Sequence, residues 1–260
     1  MKAVVTGANG TVGKVLCSIL KNLKHEIVPW DRTAVPPNDP QAMKSFLEKV
    51  RPDIVYHLAI ASRPIGLSDE SRVINCDWPA HLASLTKSLN IRFVHASTAM
   101  VFSDNAKGPF ILSSKPDATQ GYGYEKRIAE ERALVENPGA VIARLGWQIG
   151  DAPGSNNMLD FFASKMKEHS EIRASTRWFP ACSFLQDTAD GLTRLADSAA
   201  GIYMLDSNQR WTFFEIAGAL NALHGNKWKV VPTEDFVFDQ RMQDERAKMP
   251  ALNKRLTTLR

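Results

Sequence analysis

Cysteine is scarce in this sequence, and nothing in its spacing suggests a covalent or metal framework. Cys17, Cys76 and Cys182 are odd in number, far apart and without a Cys-x-x-Cys motif. This pattern argues against a disulfide scaffold and against zinc. We expect reduced structural thiols, as is typical of a cytoplasmic protein.

Other features are missing as well. No apolar run approaches the roughly 18 residues that span a bilayer, and no charged-then-apolar leader precedes the first strand, so we expect no membrane partner. The net charge of +4 is spread without a long basic block, which does not indicate nucleic acid and slightly favours anionic small molecules. The histidines lack ligand spacing, so we predict no metal site and assign surface or packing roles to His25, His57, His81, His95, His169 and His224.

The chain does contain a regular alternation of short apolar runs and segments with helical spacing. Strands are predicted over 1–6, 26–30, 53–58, 91–96 and 140–145, and helices over 11–23, from Asp39 and Pro40 onward, 71–89 and 122–136. Such alternation predicts an α/β fold with a mostly parallel, doubly wound sheet, whose ligands bind at the carboxyl ends of the strands.

The alternation becomes irregular in the last part of the chain. Residues 154–157 begin a helix, 173–182 form a loop, and helices follow near 186–195 and 212–223. We therefore predict one α/β domain over 1–150 and a C-terminal part over 151–260 that is mainly a smaller substrate-binding lobe, of which about 183–206 returns to the first domain.

A glycine motif joins the first strand to the first helix. Residues 7–13 read Gly-Ala-Asn-Gly-Thr-Val-Gly, which gives a G-x-x-G-x-x-G spacing. Glycines at such a turn let the backbone approach a pyrophosphate, and the helix N-terminus faces its negative charge. The alternative is an ordinary strand-to-helix turn. The context on both sides favours a Rossmann-type dinucleotide site.

An acidic and a basic residue follow the second strand. Asp31 stands where a carboxylate accepts hydrogen bonds from the adenosine ribose, which favours NAD. Arg32 beside it can pair with a 2′-phosphate and so admits NADP. The sequence leaves this choice open.

A tyrosine and a lysine share one face of the helix over 122–136. Only Tyr122, among the four tyrosines, has a lysine four residues later, Lys126. A phenol needs a nearby cation to exchange protons at neutral pH, and Lys126 can supply that charge and also hold the nicotinamide ribose. The alternative is an exposed helix pair without function.

Hydroxyl groups lie at the end of the preceding strand. Ser97 and Thr98 come where a substrate carbonyl would sit, and Thr98 can donate to its oxygen. They can instead satisfy backbone groups at the strand end.

These motifs, in this order, resemble the extended short-chain dehydrogenase/reductase superfamily. The segment Arg144-Leu-Gly-Trp147-Gln-Ile-Gly150 narrows the resemblance to the dTDP-4-dehydrorhamnose reductases, and Gly201-Ile-Tyr203 and Phe213-Phe-Glu-Ile-Ala217 extend it over nearly the whole chain. The resemblance implies a catalytic triad of Thr98, Tyr122 and Lys126.

The resemblance and the residue patterns together give a full candidate set. For the cofactor it comprises Gly7, Asn9, Gly10, Thr11, Val12, Gly13, Asp31, Arg32, Leu58, Ala59, Asn75, Ser97, Tyr122 and Lys126, and for the substrate Arg63, Phe102, Trp147 and Arg177. Trp147 can instead be core packing. Arg177 precedes two aromatic residues that can stack on a base or sugar, and solvated surface charge is its alternative.

Two departures from the family pattern concern the substrate. Ala99 and Met100 stand where the family usually has Asp and Tyr, and residues 176–182 retain only the proline of a family segment. The missing carboxylate disfavours dehydration chemistry.

We expect an NAD(P)-dependent reductase or epimerase that acts on a keto-sugar, nucleotide-linked, with Tyr122 as the proton donor. The alternative is a non-catalytic, NAD(P)-bound regulatory or scaffold subunit of the same fold. A homodimer is left open.

Overall fold

A six-stranded sheet is the central element of the structure, a computed structural model that describes residues 1–62, 64 and 66–259. Within these residues the strands are β1 (Lys2–Thr6), β2 (Glu26–Pro29), β3 (Ile54–His57), β4 (Arg92–Thr98), β5 (Val141–Leu145), β6 (Trp147–Ile149), β7 (Ile172–Ser175), β8 (Trp178–Phe179), β9 (Cys182–Phe184), β10 (Gly201–Leu205), β11 (Val230–Thr233) and β12 (Phe238–Asp239). The helices are α1 (Thr11–Asn22), α2 (Pro40–Val50), α3 (Glu70–Arg72), α4 (Trp78–Ser88), α5 (Gly121–Glu136), α6 (Met158–His169), α7 (Leu185–Leu195) and α8 (Phe213–Leu223).

The order of strands in the central sheet is β10-β5-β4-β3-β1-β2. β1 pairs in parallel with both β2 and β3, and β3 pairs in parallel with β4. The predicted α/β fold with a parallel sheet is confirmed. The chain leaves β1 toward β2 on one side and resumes with β3 on the other, so the switch point of the sheet lies at the carboxyl ends of β1 and β3.

Helix starts follow the capping chemistry of the sequence. Asp39 caps α2 by accepting the backbone N–H of Ala42 at 2.9 Å, and Pro40 occupies the first helical position. Asn157 caps α6 through the N–H of Leu159 at 2.8 Å. Both helices begin where the sequence predicts, because these side chains satisfy N–H groups that a helix start leaves unpaired.

The stretch predicted as one helix over 71–89 contains a change of helical pitch. A π-helical turn, Val73–Asp77, joins α3 to α4, and Ile74, Asn75 and Cys76 within it are buried. Such turns are rare and frequently accompany functional sites.

The first of two compact units holds most of the central sheet. It comprises Met1–Ser103, Pro116–Arg144 and Ala189–Tyr203. Its core includes the buried side chains of Val4, Leu47, Val55, Trp78 and Phe93. The unit ends its second segment at Arg144, earlier than the predicted boundary at 150, and its third segment falls within the predicted return over 183–206.

The second unit comprises Asp104–Lys115, Leu145–Thr188 and Met204–Arg260. Its strands form three parallel pairs, β6 with β9, β7 with β11 and β8 with β12. The predicted loop over 173–182 was wrong, because it contains most of β7, all of β8 and the start of β9. Strands of two to four residues show no alternation in sequence, and their partners lie tens of residues away, so pairing alone reveals them.

Among the described residues, no helix combines the length and the apolar character that crossing a membrane requires.

Candidate active site

The glycine turn after β1 is built for close backbone approach. Gly7 adopts a left-handed conformation with φ +67°, and a Cβ at this position would lie 2.9 Å from the backbone nitrogen of Ala59. A Cβ on Gly13 would lie 2.1 Å from the carbonyl oxygen of Gly7. Only glycine fits at these two positions, because α1 and the end of β3 both press on the turn.

The N-terminus of α1 offers backbone donors beside this turn. Gly10 caps the helix without a side-chain hydrogen bond, and no acidic residue lies in the first turn, which begins with Thr11 and Val12. A helix N-terminus with unpaired N–H groups and no competing carboxylate attracts an anion. The arrangement fits the pyrophosphate of a dinucleotide.

Leu58 and Ala59 close the other side of the switch point. Their backbone N–H groups donate to the Thr6 hydroxyl oxygen at 3.0 and 3.1 Å. Thr6 is the last residue of β1, so this contact ties the ends of β1 and β3 together. The two residues predicted to touch the cofactor therefore lie directly against the Gly7 turn.

Asp31 and Arg32 follow β2 in the same unit. The Asp31 side chain is exposed and accepts the N–H of Thr33 at 2.8 Å through Oδ1. Arg32 is half-buried, and its Nη1 has no hydrogen-bond partner among the described residues. An exposed carboxylate and a guanidinium nitrogen without a described partner thus belong to adjacent residues. The choice between NAD and NADP stays open.

Gly123 brings α5 against the segment that follows β4. A Cβ on Gly123 would lie 2.0 Å from the carbonyl oxygen of Met100, in the 3-10 turn Ala99–Val101. This contact places Tyr122 and Lys126, on either side of Gly123, on a helix that lies against the residues just after Thr98. The three residues predicted as a triad thus belong to elements in direct contact.

Tyr122 is a phenol held in its protonated form. Burial raises the pKa of Tyr122 to about 12, and the Glu125 carboxylate adds to the rise. A protonated phenol can donate its proton, and only a cation or ligand that lowers the pKa makes its phenolate form accessible.

Lys126 is an almost completely buried cation. Lys126 is only 1% exposed, and its Nζ lies 3.2 Å from Nε2 of His95. Burial lowers the pKa of Lys126 to about 8, against the Glu130 carboxylate and the Cys76 thiol, which raise it. Lys126 therefore titrates near physiological pH.

Asn75 is fixed in the π-helical turn by three polar contacts. Its Oδ1 accepts the N–H of Ala61 at 3.0 Å, and its Nδ2 donates to Glu125 at 2.7 Å and to Ser71 at 3.3 Å. Glu125 directly precedes Lys126 on α5, so Asn75 is brought to the start of the same helix. Its contact with the cofactor stays a prediction.

The hydroxyl groups at the end of β4 differ in their bonding. Thr98 Oγ1 accepts the N–H of Met100 at 3.2 Å, which leaves its proton available for donation, whereas Ser97 Oγ is buried with no hydrogen-bond partner among the described residues. Phe102 is 2% exposed with the Arg144 guanidinium 5.1 Å over its ring. Phe102 thus serves as core packing here, and its predicted substrate contact gains no support.

The predicted substrate residues of the second unit have different surroundings. Trp147 stacks on Trp178 at 5.8 Å between ring centroids and meets Phe161 and Phe213 edge-on or tilted, which favours its core-packing alternative. Arg177 is 55% exposed and lies 4.0 Å from Glu234. Arg63, also predicted for the substrate, lies outside the described residues.

Sequence reasoning missed the polar residues that surround Lys126. His57 and His95 are buried and in register on β3 and β4, and Glu125 holds Asn75. The packing alternative suits both histidines, but spacing alone did not show that His95 contacts Lys126. The available signal was that both histidines stand four residues into consecutive predicted strands. Among the described residues, no group of three or more His, Cys, Asp or Glu side chains is arranged to hold a metal ion.

The switch point, the glycine turn and the Tyr122/Lys126 helix together define the extended short-chain dehydrogenase/reductase class. Within this class the chain belongs to the RmlD substrate binding domain family, whose model matches residues 1–253. The resemblance that the sequence motifs indicate is thereby confirmed.

Individual relatives are similar at low identity over most of their length. The chain is 28% identical to a dTDP-4-dehydrorhamnose reductase of Burkholderia thailandensis, over 89% of this chain and 80% of that protein. It is 24% identical to the spore coat polysaccharide biosynthesis protein SpsK of Bacillus subtilis, over 90% and 84%. The solved structure of dTDP-4-dehydrorhamnose reductase from Bacillus anthracis in complex with NADP superposes with a TM-score of 0.83 at 22% identity, covering 98% and 97%, which shows the shared fold.

Proposed function

We propose that this protein is an NAD(P)-dependent oxidoreductase, a reductase or epimerase, that acts on a nucleotide-linked keto-sugar. The observation that carries the proposal is the contact of α5 with the end of β4 through Gly123, in the unit that also holds the glycine turn. The residues proposed for acid–base chemistry and those proposed for dinucleotide binding therefore belong to one compact unit.

The residues predicted to bind the cofactor suit a dinucleotide. The Gly7 and Gly13 positions leave no room for a Cβ, and α1 begins without a side-chain cap, so the N–H groups of its first turn could donate to a pyrophosphate. Asp31 would accept from ribose hydroxyls, whereas Arg32 would pair with a 2′-phosphate. When bound, the nicotinamide supplies or accepts the hydride.

The residues of the chain would handle the proton and the orientation of the carbonyl. In the reductive direction, the carbonyl carbon gains a hydride while the Tyr122 hydroxyl gives its proton to the carbonyl oxygen, and an alcohol results. Thr98 would donate a hydrogen bond to the same oxygen. The Lys126 ammonium would stabilise the phenolate that Tyr122 leaves behind and hold the nicotinamide ribose, and solvent would return the proton.

The substrate class is supported by the relatives, which include proteins named as dTDP-4-dehydrorhamnose reductases. Arg177, exposed in the second unit, is the residue we propose for the nucleotide diphosphate or base. Ala99 and Met100 replace the carboxylate and the phenol usual in the family. We therefore expect the substrate of this protein to differ from that of its relatives in the sugar ring.

Turnover with Tyr122→Phe as the test variant decides between an enzyme and a binding subunit. The purified chain is incubated with NADH or NADPH and a panel of nucleotide-linked keto-sugars, and the nicotinamide absorbance is followed. We expect turnover that Tyr122→Phe lowers by at least about 100-fold in kcat, because the proton donor is lost.

Tyr124→Phe is the matched control, because Tyr124 lies on the same helix but is exposed, with Arg127 over its ring. This control should retain its kcat. Cofactor binding without turnover on any sugar of the panel would instead favour the regulatory subunit, and equal loss in both variants would exclude Tyr122 as the specific donor.

A further inference from the structure

Three neighbouring strands place a row of polar side chains under Lys126. Thr6 on β1 is the register partner of His57 on β3, and His57 is the register partner of His95 on β4. The two imidazole rings stack with centroids 5.2 Å apart and an angle of 23° between their planes. We call Thr6, His57, His95 and Lys126 the buried polar column.

The hydrogen bonds at the Thr6 end fix the tautomer of His57. Thr6 Oγ1 accepts two backbone N–H groups, from Leu58 and Ala59, so its own proton is free to be donated. The acceptor is Nδ1 of His57 at 2.8 Å. A neutral imidazole that accepts at Nδ1 carries its proton at Nε2.

The bond at the other end fixes the tautomer of His95. An ammonium group only donates, so Nζ of Lys126 donates to Nε2 of His95 across 3.2 Å. Burial lowers the pKa of both His57 and His95 well below the usual range, and the Lys126 charge adds to the effect. Both rings are therefore neutral, and His95 carries its proton at Nδ1.

We propose that His95 is a positioning residue for Lys126. Its Nε2 accepts a hydrogen bond from one of the three ammonium N–H groups of Lys126 and so directs the other two, and the stacked ring of His57 fixes the orientation of the His95 ring. The inference rests on the proposed function for the role of Lys126 in turnover, but the bond itself can be measured without turnover.

The groups around Lys126 determine how its pKa responds when His95 is removed. Glu130 on α5 and Cys76 in the π-helical turn favour its charged form, and the neutral His57 and His95 lie on the sheet side. Loss of the acceptor destabilises the ammonium form more than the neutral amine, because an ammonium donates the stronger hydrogen bond to Nε2. The pKa of Lys126, about 8 in the intact protein, should then fall by about one pH unit.

His95→Phe and His95→Gln separate the acceptor from the packing. Phenylalanine keeps a flat ring against His57 and Phe93 but cannot accept a hydrogen bond, whereas glutamine presents an amide oxygen near the place of Nε2. His81→Phe is the matched control, because His81 lies on α4 outside the buried polar column.

Two measurements read out the effect. The titration of Lys126 is followed by NMR of ¹³Cε-labelled lysine, assigned with Lys126→Arg, and the pH profile of kcat is recorded. We expect His95→Phe to move both the titration and the alkaline limb of kcat downward by about one pH unit, His95→Gln to restore most of the shift, and His81→Phe to move neither.

The NMR titration decides the inference whatever the turnover assay shows. A Lys126 titration unchanged in His95→Phe overturns the positioning role, whereas a shifted titration in a chain that turns over no keto-sugar supports it and removes only the proposed function. If His95→Phe does not fold, ¹⁵N spectra of the wild-type histidines give the answer. A protonated Nδ1 on His95 supports the proposal, and a protonated Nε2 overturns it.

Discussion

At the scale of single residues, close backbone contacts fix the conformation of the glycine turn after β1. Gly7 and Gly13 meet across one carbonyl, and the space that a methyl group would need is taken by the backbone of the turn and of the β3 end. Thr6, at the edge of the same turn, uses one hydroxyl to bond two backbone N–H groups and one imidazole. Side chains with a single polar atom thus hold a loop that carries few side chains of its own.

Gly13→Ala should lower both stability and cofactor affinity. The new Cβ would lie 2.1 Å from the carbonyl oxygen of Gly7, so the turn must shift, at a cost of about 1 to 3 kcal/mol in the free energy of unfolding. The dissociation constants of NADH and NADPH should rise. Denaturant titration and nucleotide fluorescence measure the two effects.

Gly218→Ala is the control for this change. Gly218 lies inside α8, and apart from the neighbouring backbone of that helix no described heavy atom lies within 4 Å of where a Cβ would be, so alanine should stabilise the chain by about 0.5 to 1 kcal/mol. A Gly13→Ala protein as stable as wild type, with unchanged cofactor affinity, would contradict the role of the close contact.

Elements are joined by polar contacts that sequence separation conceals. An ion pair joins α5 to β5. The Glu130 carboxylate accepts hydrogen bonds from Nε of Arg144 at 3.0 Å and from Nη2 at 2.7 Å. Both side chains are less than 5% exposed. The pair anchors the helix that carries Tyr122 and Lys126 to the sheet, so its geometry bears on the site.

Glu130→Gln should destabilise the first unit strongly. The Arg144 charge would remain buried without its counterion, a situation that costs about 3 to 5 kcal/mol. Glu131→Gln, at the next position, removes a carboxylate that is 61% exposed and 3.6 Å from Arg127, and should cost less than about 1 kcal/mol. Similar midpoints of chemical denaturation in the two variants would be inconsistent with a structural ion pair.

For the molecule as a whole, the acid–base equilibrium of the buried lysine links function to stability. The pKa of Lys126 is lowered to about 8 from an ordinary 10.5, so the folded chain binds fewer protons than the unfolded chain between these values. The free energy of unfolding therefore rises with pH across this window. Below pH 8 the fold bears the full cost of a buried ammonium.

Lys126→Met should remove this pH dependence. The difference in the free energy of unfolding, variant minus wild type, should fall by about 1 to 3 kcal/mol from pH 8 to pH 10.5, since only the wild type gains stability there. Denaturant titrations at a series of pH values measure it. Lys49→Met, at an exposed position of α2, should keep a constant difference, and a constant difference for Lys126→Met as well would contradict the lowered pKa.

The sequence by itself determined the parallel α/β fold, the glycine turn and the helix with Tyr122 and Lys126. These depend on local patterns: apolar spacing, capping residues such as Asp39, and glycines at a strand-to-helix junction. The family resemblance also followed from short motifs. Each of these signals lies within a few neighbouring residues, where spacing carries the information.

Only the tertiary structure decided the rest. It placed β7, β8 and β9 where a loop was expected. It also favoured packing roles for Trp147 and Phe102 over substrate contact, and it showed that His95 contacts Lys126. The physical reason is that strand pairing, burial and buried hydrogen bonds depend on residues distant in sequence. Which histidine is buried beside a lysine is set by the register of β3 and β4 and by the packing of α5, not by spacing along the chain.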